Sequence, residues 1–171
     1  MTVHEPDFVY KIVFLGDSGV GKTSLVQRYV YDSLSSDFGQ TLGAILHVKT
    51  IDYEGSLYKL IIWDLGGQEY FAALREQYCT NASGAFFVWD RSRPETLGSI
   101  DRWLEPLYSS AGQVPVTVIE NKIDLEQEFT PDQIVSEIES RNLKLMRTSA
   151  TENLNVNSTF EGLVRDIREK Q

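Results

Sequence analysis

Apolar and polar positions follow two distinct periods along this chain. Residues 8–15 (Phe-Val-Tyr-Lys-Ile-Val-Phe-Leu) are almost continuously apolar and rich in β-branched and aromatic side chains, the composition of a buried strand. The runs at 84–90, which ends in the carboxylate of Asp90, and at 114–119 read the same way, and 143–147 reads as a shorter strand. Segments 44–53 and 57–64 flank the turn Tyr53-Glu54-Gly55-Ser56 and predict a hairpin. Helical spacing appears at 22–31, with Leu25, Val26 and Tyr29 on one face, and at 155–170, with Val156, Phe160, Leu163, Val164 and Ile167. It appears again at 94–110 through Leu97, Ile100, Leu104 and Leu107, a helix that Pro106 is expected to kink or cut short. Thr130-Pro131 reads as an N-cap followed by proline at the first helical position, opening a helix with Ile134, Val135 and Ile138 inward. Residues 1–7 read as a loose lead-in. Residues 32–43 are polar, small and aperiodic, a long loop of the kind that usually carries function.

Strands alternate with helices apart from the one hairpin. That order predicts an α/β fold, a mostly parallel six-stranded sheet with one antiparallel edge strand and helices on both faces, in a single domain over 1–171. Ligands of such sheets bind beyond the C-terminal strand ends. The loops at 16–23, 32–43, 64–70, 120–125 and 148–151 mostly follow strand ends and are expected to converge there.

Composition narrows the function. The 171 residues carry a net charge of −9, which argues against non-specific binding to nucleic acid or anionic membrane. The single cysteine, Cys79, permits no internal disulfide, which suits a reducing, cytoplasmic setting; it reads as a packed or surface residue. His4 and His47 belong to no constellation and read as surface residues. No apolar run approaches the ~18 residues of a membrane span. Thr2 excludes N-myristoylation and the final residues hold no cysteine to prenylate, so membrane association is expected only through a lipidated tail that this sequence does not carry.

Gly16-Asp17-Ser18-Gly19-Val20-Gly21-Lys22-Thr23 fits G-x-x-x-x-G-K-[ST], the P-loop pattern, with the strand before it and the helix after it that the pattern requires. Small residues let backbone N–H groups converge on phosphates as a nest. The helix start near Lys22 adds its positive dipole end. Lys22 is expected to reach the β- and γ-phosphates and the Thr23 hydroxyl to ligate Mg²⁺, with Asp17, Ser18, Gly19, Val20, Gly21 and Ser24 completing the cradle.

Four further stretches stand in order behind it: Thr41-Leu42-Gly43, Asp64-Leu65-Gly66-Gly67-Gln68-Glu69, Asn121-Lys122-Ile123-Asp124 and Thr148-Ser149-Ala150. The set resembles the small GTPases of the Ras superfamily over nearly the whole chain, and within it the Rab branch most. The resemblance implies the P-loop NTPase (small G protein) fold, GTP and GDP as ligands, Mg²⁺ as cofactor, and a switch that hydrolyses GTP and is read by effector, exchange-factor and GTPase-activating proteins. It implies that Asp64 and Thr41 join Thr23 at the metal, that the Gly67 N–H meets the γ-phosphate, and that Gln68 orients the attacking water. Asn121 and the stem of Lys122 would touch the base, with Ser149 and Ala150 beside them and the Ala150 N–H on the guanine O6. A carboxylate at Asp124 suits guanine, which offers two adjacent donors, and would be left unpaired against adenine.

The chain also departs from the family pattern. Asp64-Leu65-Gly66-Gly67 replaces the usual Asp-Thr-Ala-Gly and resembles the Arf and Gα versions. Thr151 replaces a lysine, Leu34 stands where an aromatic often meets guanine, and Glu120 replaces a glycine, adding bulk and charge near the base. Leu46 stands where an aromatic tends to join Trp63 and Tyr78. These changes predict weaker base binding than a typical Rab, with specificity kept by Asp124. Arg75 and Arg91 are candidates for an arginine finger in cis by proximity in sequence alone, so slow intrinsic turnover, accelerated by a partner's Arg, is expected. The alternative reading is a nucleotide-binding interaction module of the same fold that does not cycle. An ATP-using P-loop kinase would leave Asp124 unexplained.

Overall fold

A computed structural model describes residues 3–34, 39–127 and 131–171, with 70 and 71 described by their backbone alone. The strands are β1 (Phe8–Leu15), β2 (Ala44–Tyr53), β3 (Ser56–Leu65), β4 (Gly84–Asp90), β5 (Val116–Asn121) and β6 (Lys144–Arg147). They form one six-stranded sheet in the order β2-β3-β1-β4-β5-β6. Only the β2–β3 hairpin is antiparallel.

Alternation along each strand sends side chains to two cores. Tyr10, Ile12 and Phe14 of β1 pack against Leu25, Val26 and Tyr29 of α1 (Lys22–Tyr31) and Phe160, Leu163 and Ile167 of α6 (Val156–Lys170). Val13 and Leu15 face the other way. They join Cys79 of α2 (Arg75–Cys79), Leu97 of α3 (Glu95–Gly98), Trp103 and Leu107 of α4 (Ile100–Ala111), and Ile134 and Ile138 of α5 (Pro131–Glu139). A 3₁₀ turn over Glu69–Leu74 leads into α2. Cys79 is fully buried, and burial lifts its thiol pKa to about 11.

Three details differ from the pattern in the sequence. The helix expected over 94–110 breaks at Ser99, not at Pro106. Ser99 leaves helical geometry at ψ 0 and donates its hydroxyl to the Thr96 carbonyl at 3.0 Å. Pro106 sits inside α4, whose buried Trp103, Leu104 and Leu107 hold the helix across the hydrogen bond that proline removes. Val135 is exposed: Ile134 and Ile138, four apart, define the inner face of α5, and Val135 falls about 80° from the middle of it. β5 begins at Val116 and runs to Asn121, so Glu120 and Asn121 still belong to the sheet. The expected cap at Thr130 and the loop positions 35–38 lie outside the described residues.

Candidate functional site

The loops after β1, β3, β5 and β6, with residues 39–41 from the α1–β2 connection, surround a cavity of about 500 Å³ beyond the C-terminal strand ends. That volume falls in the range of small-molecule sites. Its walls include Ser18, Gly19, Gly21, Lys22, Thr23 and Ser24 at one end and Asn121, Lys122, Asp124, Ala150 and Thr151 at the other, with Gln40, Thr41 and Gly67 along the side. Asp17, Val20 and Ser149 stand behind this wall.

The end of the cavity lined by residues 18–24 is shaped by backbone. Gly21 has φ +101°, and a Cβ there would lie 2.2 Å from Asn121 Nδ2, so only glycine fits. No side chain caps the start of α1, where Gly21 takes the N-cap position, and the helix presents its positive end to the cavity. Lys22 Nζ donates to the Gly16 and Asp17 carbonyls at 2.6 and 2.9 Å. Burial pulls its pKa down to about 8, against the opposing pull of Asp64 and Asp17. The Asp17 carboxylate does not line the cavity and accepts from Nε1 of the buried Trp103 at 3.0 Å.

Beside Lys22, three oxygens converge. Thr23 Oγ1 lies 2.7 Å from Thr41 Oγ1 and donates to Asp64 Oδ2 at 2.5 Å. The other Asp64 oxygen, Oδ1, is buried without a partner. Burial raises the Asp64 pKa, and the bond from Thr23 and the charge of Lys22 oppose the rise. An all-oxygen donor set with a single carboxylate and an orphaned buried oxygen fits Mg²⁺, which takes one or two carboxylates and completes its shell with water and phosphate.

The 64–69 loop presses on the P-loop. A Cβ on Gly67 would lie 2.2 Å from the Ser18 nitrogen, and Gly66 N donates to Gly43 O at 2.7 Å, joining the loops on either side of the hairpin. Gln68 is turned from the cavity and donates to Gln40 Oε1 at 3.2 Å, with its own Oε1 buried and unpartnered.

At the other end, Asn121 ties three loops together: Nδ2 donates to Val20 O at 2.9 Å and Oδ1 accepts from Thr148 Oγ1 at 2.9 Å. Lys122, at φ +64°, donates to Gly19 O at 2.8 Å and pairs with Asp90 at 2.9 Å. Asp124 is exposed to the cavity and is steadied from behind by Ser149 Oγ at 2.8 Å. Arg28 donates to the Ala150 carbonyl at 2.9 Å.

Several expectations change here. Glu120 is fully buried and is not part of the cavity wall; Arg91 and Arg147 clamp it, so it adds no charge beside the base. Leu34 does not line the cavity, whereas Thr151 does. Arg75 is buried, stacked 3.7 Å from the Trp103 ring and 3.5 Å from Glu69, and Arg91 is held by Glu120, so neither candidate reaches the cavity. His47 is half-buried in β2 and within hydrogen-bond distance of Tyr31 Oη at 3.0 Å. Leu46 pairs directly with Trp63 across the hairpin, and Trp63 stands 5.7 Å from Tyr78 between ring centres.

Sequence reasoning gave no role in the site to Asp90, Thr148 and Arg93. Arg93 Nη2 donates to Ser18 O at 2.9 Å while its Nε pairs with Asp90. A carboxylate closing an otherwise apolar strand was the available signal for Asp90. Nothing in the spacing marks Arg93.

A parallel sheet whose first strand feeds a glycine loop, a lysine and an uncapped helix start defines a P-loop nucleotide-binding protein. The Ras family profile matches residues 11–169. Ras-related protein Rab-11A of Dictyostelium discoideum is 34% identical over 166 residues, covering 95% of this chain and 78% of that protein. Ras-related protein RABA5a of Arabidopsis thaliana is 37% identical over 164 residues (94% and 74%), and human Ras-related protein Rab-25 is 33% identical over 169 residues (97% and 79%). The chain belongs to the Ras family of small GTPases, with Rab homology across most of its length. Its activity is that of a switch that binds and hydrolyses GTP. Membership implies Mg²⁺ with GTP or GDP, and regulatory proteins that act on the switch. Among the described residues no helix is long and apolar enough to cross a membrane.

Proposed function

We propose that residues 1–171 form a single G domain whose cavity beyond the C-terminal strand ends binds GTP and GDP, with the phosphates on Asp17 to Ser24 and the base against Asn121, Lys122, Asp124, Ser149 and Ala150. The observation that carries this reading is the arrangement of the cavity ends. Thr23, Thr41 and the half-satisfied Asp64 stand at one, and the exposed Asp124 carboxylate at the other. Thr23, Thr41 and Asp64 would hold Mg²⁺, which supplies neutralisation of phosphate charge when bound.

The rest is done by the chain. Lys22 leaves the Gly16 and Asp17 carbonyls for the β- and γ-phosphates, a bound anion favouring its charged form. Gly67 offers its N–H to the γ-phosphate from beside Ser18, and Thr41 follows, so the 39–41 and 64–69 segments order together on GTP and relax when the γ-phosphate leaves. Gln68 exchanges its bond to Gln40 for the attacking water. The Gly66-Gly67 pair, like that of Arf and Gα proteins, gives the segment freedom to make this movement. Catalysis is positioning plus charge stabilisation by Lys22, Thr41, Gly67 and Gln68. No arginine lines the cavity among the described residues, so turnover is slow until a GTPase-activating partner supplies one. Effectors read the ordered segments, exchange factors open them, and membrane attachment requires a lipidated tail. Thr151, in place of a lysine stem over the base, weakens the grip on guanine.

Chromatography of the nucleotide that co-purifies with the protein tests this. GDP or GTP is expected, and Asp124→Ala is expected to lose it. ATP or ADP in its place would overturn the base assignment.

A further inference from the structure

Among the described residues, Glu120 is the carboxylate whose side chain is fully excluded from water yet sits between two arginines. Its Oε1 is 2.7 Å from Arg91 Nε and its Oε2 is 2.9 Å from Arg147 Nε, with the Glu120 side chain 0% exposed. The cost of removing such a charge from water is large, and only close pairing with satisfied hydrogen bonds offsets it. The surroundings show what the arrangement holds in place.

Arg91 reaches two groups at once. While Nε binds Glu120, Nη1 donates to the Ile123 carbonyl at 3.0 Å, midway between Lys122 and Asp124. Arg147 lies immediately before Thr148-Ser149-Ala150, and its own carbonyl accepts from Asn155 Nδ2 at 2.8 Å. The backbone completes the lattice: Thr148 N donates to Glu120 O at 2.9 Å and Ile123 N donates to Thr148 O at 3.1 Å. The 121–124 segment has reason to need outside support, because Lys122 at φ +64° is held in a conformation that costs a non-glycine residue energy. Asp124 is exposed and is steadied through Ser149, so its position depends on how the two loops sit relative to each other.

We propose that Arg91, Glu120 and Arg147 form a clamp about a buried carboxylate that sets the spacing of the two base-reading loops, making Glu120 a positioning residue for recognition of the purine 2-amino and N1–H groups by Asp124. The clamp acts from behind the cavity and touches no nucleotide. It rests on the reading of Asp124 as the base-recognition carboxylate.

The test compares affinities of the Mg²⁺-loaded protein for GDP and for inosine diphosphate, which keeps N1–H and lacks the 2-amino group. Glu120→Gln replaces one acceptor oxygen with a donor that faces an arginine. Its GDP affinity should fall about tenfold or more, and the ratio of GDP to inosine-diphosphate affinity should fall at least threefold. Should Glu120→Gln not fold, Glu120→Gly removes the buried carboxylate and leaves both arginines to water, and the same loss of ratio is expected. Leu107→Ala opens a cavity in the core remote from these loops and serves as the control for stability alone: its melting temperature should drop with the ratio unchanged. A parent protein that prefers GDP, with folded Glu120 variants that keep the full ratio, would overturn the clamp. A parent protein with no preference for GDP over inosine diphosphate would overturn the reading of Asp124 and the clamp with it.

Discussion

Gly67 has room for a hydrogen and nothing larger, since a Cβ would stand 2.2 Å from Ser18 N and 2.4 Å from the Asp17 carbonyl carbon. Both neighbours are backbone and cannot swing aside. Gly67→Ala must therefore push the 64–69 loop off the P-loop while leaving the 121–124 and 148–150 loops alone. Its affinity for a non-hydrolysable GTP analogue should fall about tenfold or more and its GDP affinity should hold within about threefold, measured by isothermal titration. Asp90 offers a different test. Burial would raise its carboxyl, but bonds from Lys122, Ser92 and Arg93 outweigh that and hold it below its ordinary value of 3.8. The carboxylate's contribution is therefore complete well above the ordinary value, at about pH 5 and higher, and is lost as pH falls through the lowered native value. Asp90→Asn should reduce the melting temperature at pH 6, and the gap to the parent should narrow as the pH is taken below 3.8, in thermal scans across that range.

The elements were largely legible, because long apolar runs and 3.6-residue stripes leave little choice. β1, β2, β4 and α1 fall where the sequence places them. The misplaced break between α3 and α4 shows where such reading stops: Pro106 is a strong local signal, yet the buried Trp103 and Leu107 on either side override it, and burial depends on tertiary contacts. Val135 fails for a similar reason, since an apolar residue beside two inward ones need not share their face. The stripe of α6 carries more of the fold than its spacing alone suggests. Phe160 stacks on Tyr29 of α1 with ring centres 3.6 Å apart and meets Phe14 and Phe86 of the sheet. Phe160→Ala should cost about 3–5 kcal/mol in urea unfolding, and a cost under about 1 kcal/mol would mean that this face of the sheet is not a close-packed core.

At the scale of the whole molecule, the strand order does the work of assembly. Placing β1 between β3 and β4 sets the P-loop beside the 64–69 loop, and placing β5 between β4 and β6 sets Asn121 beside Thr148. The motifs could be read from the chain because phosphate cradles and base-reading carboxylates demand particular residues at fixed spacing. The direction of individual side chains could not. Glu120 reads as a charge beside the base until its burial between Arg91 of the loop after β4 and Arg147 of β6 is seen, and Gln68 reads as facing the substrate until its bond to Gln40 is. Both depend on contacts between residues far apart in sequence. The joining of five loops into one GTP-hydrolysing site is tested most directly by single-turnover phosphate release from protein-bound GTP with Mg²⁺, run on the parent and on Gln68→Leu. One phosphate per bound GTP, released slowly by the parent and about tenfold or more slowly still by the variant, is the predicted result. No release from the parent, or equal rates for the two, would contradict it.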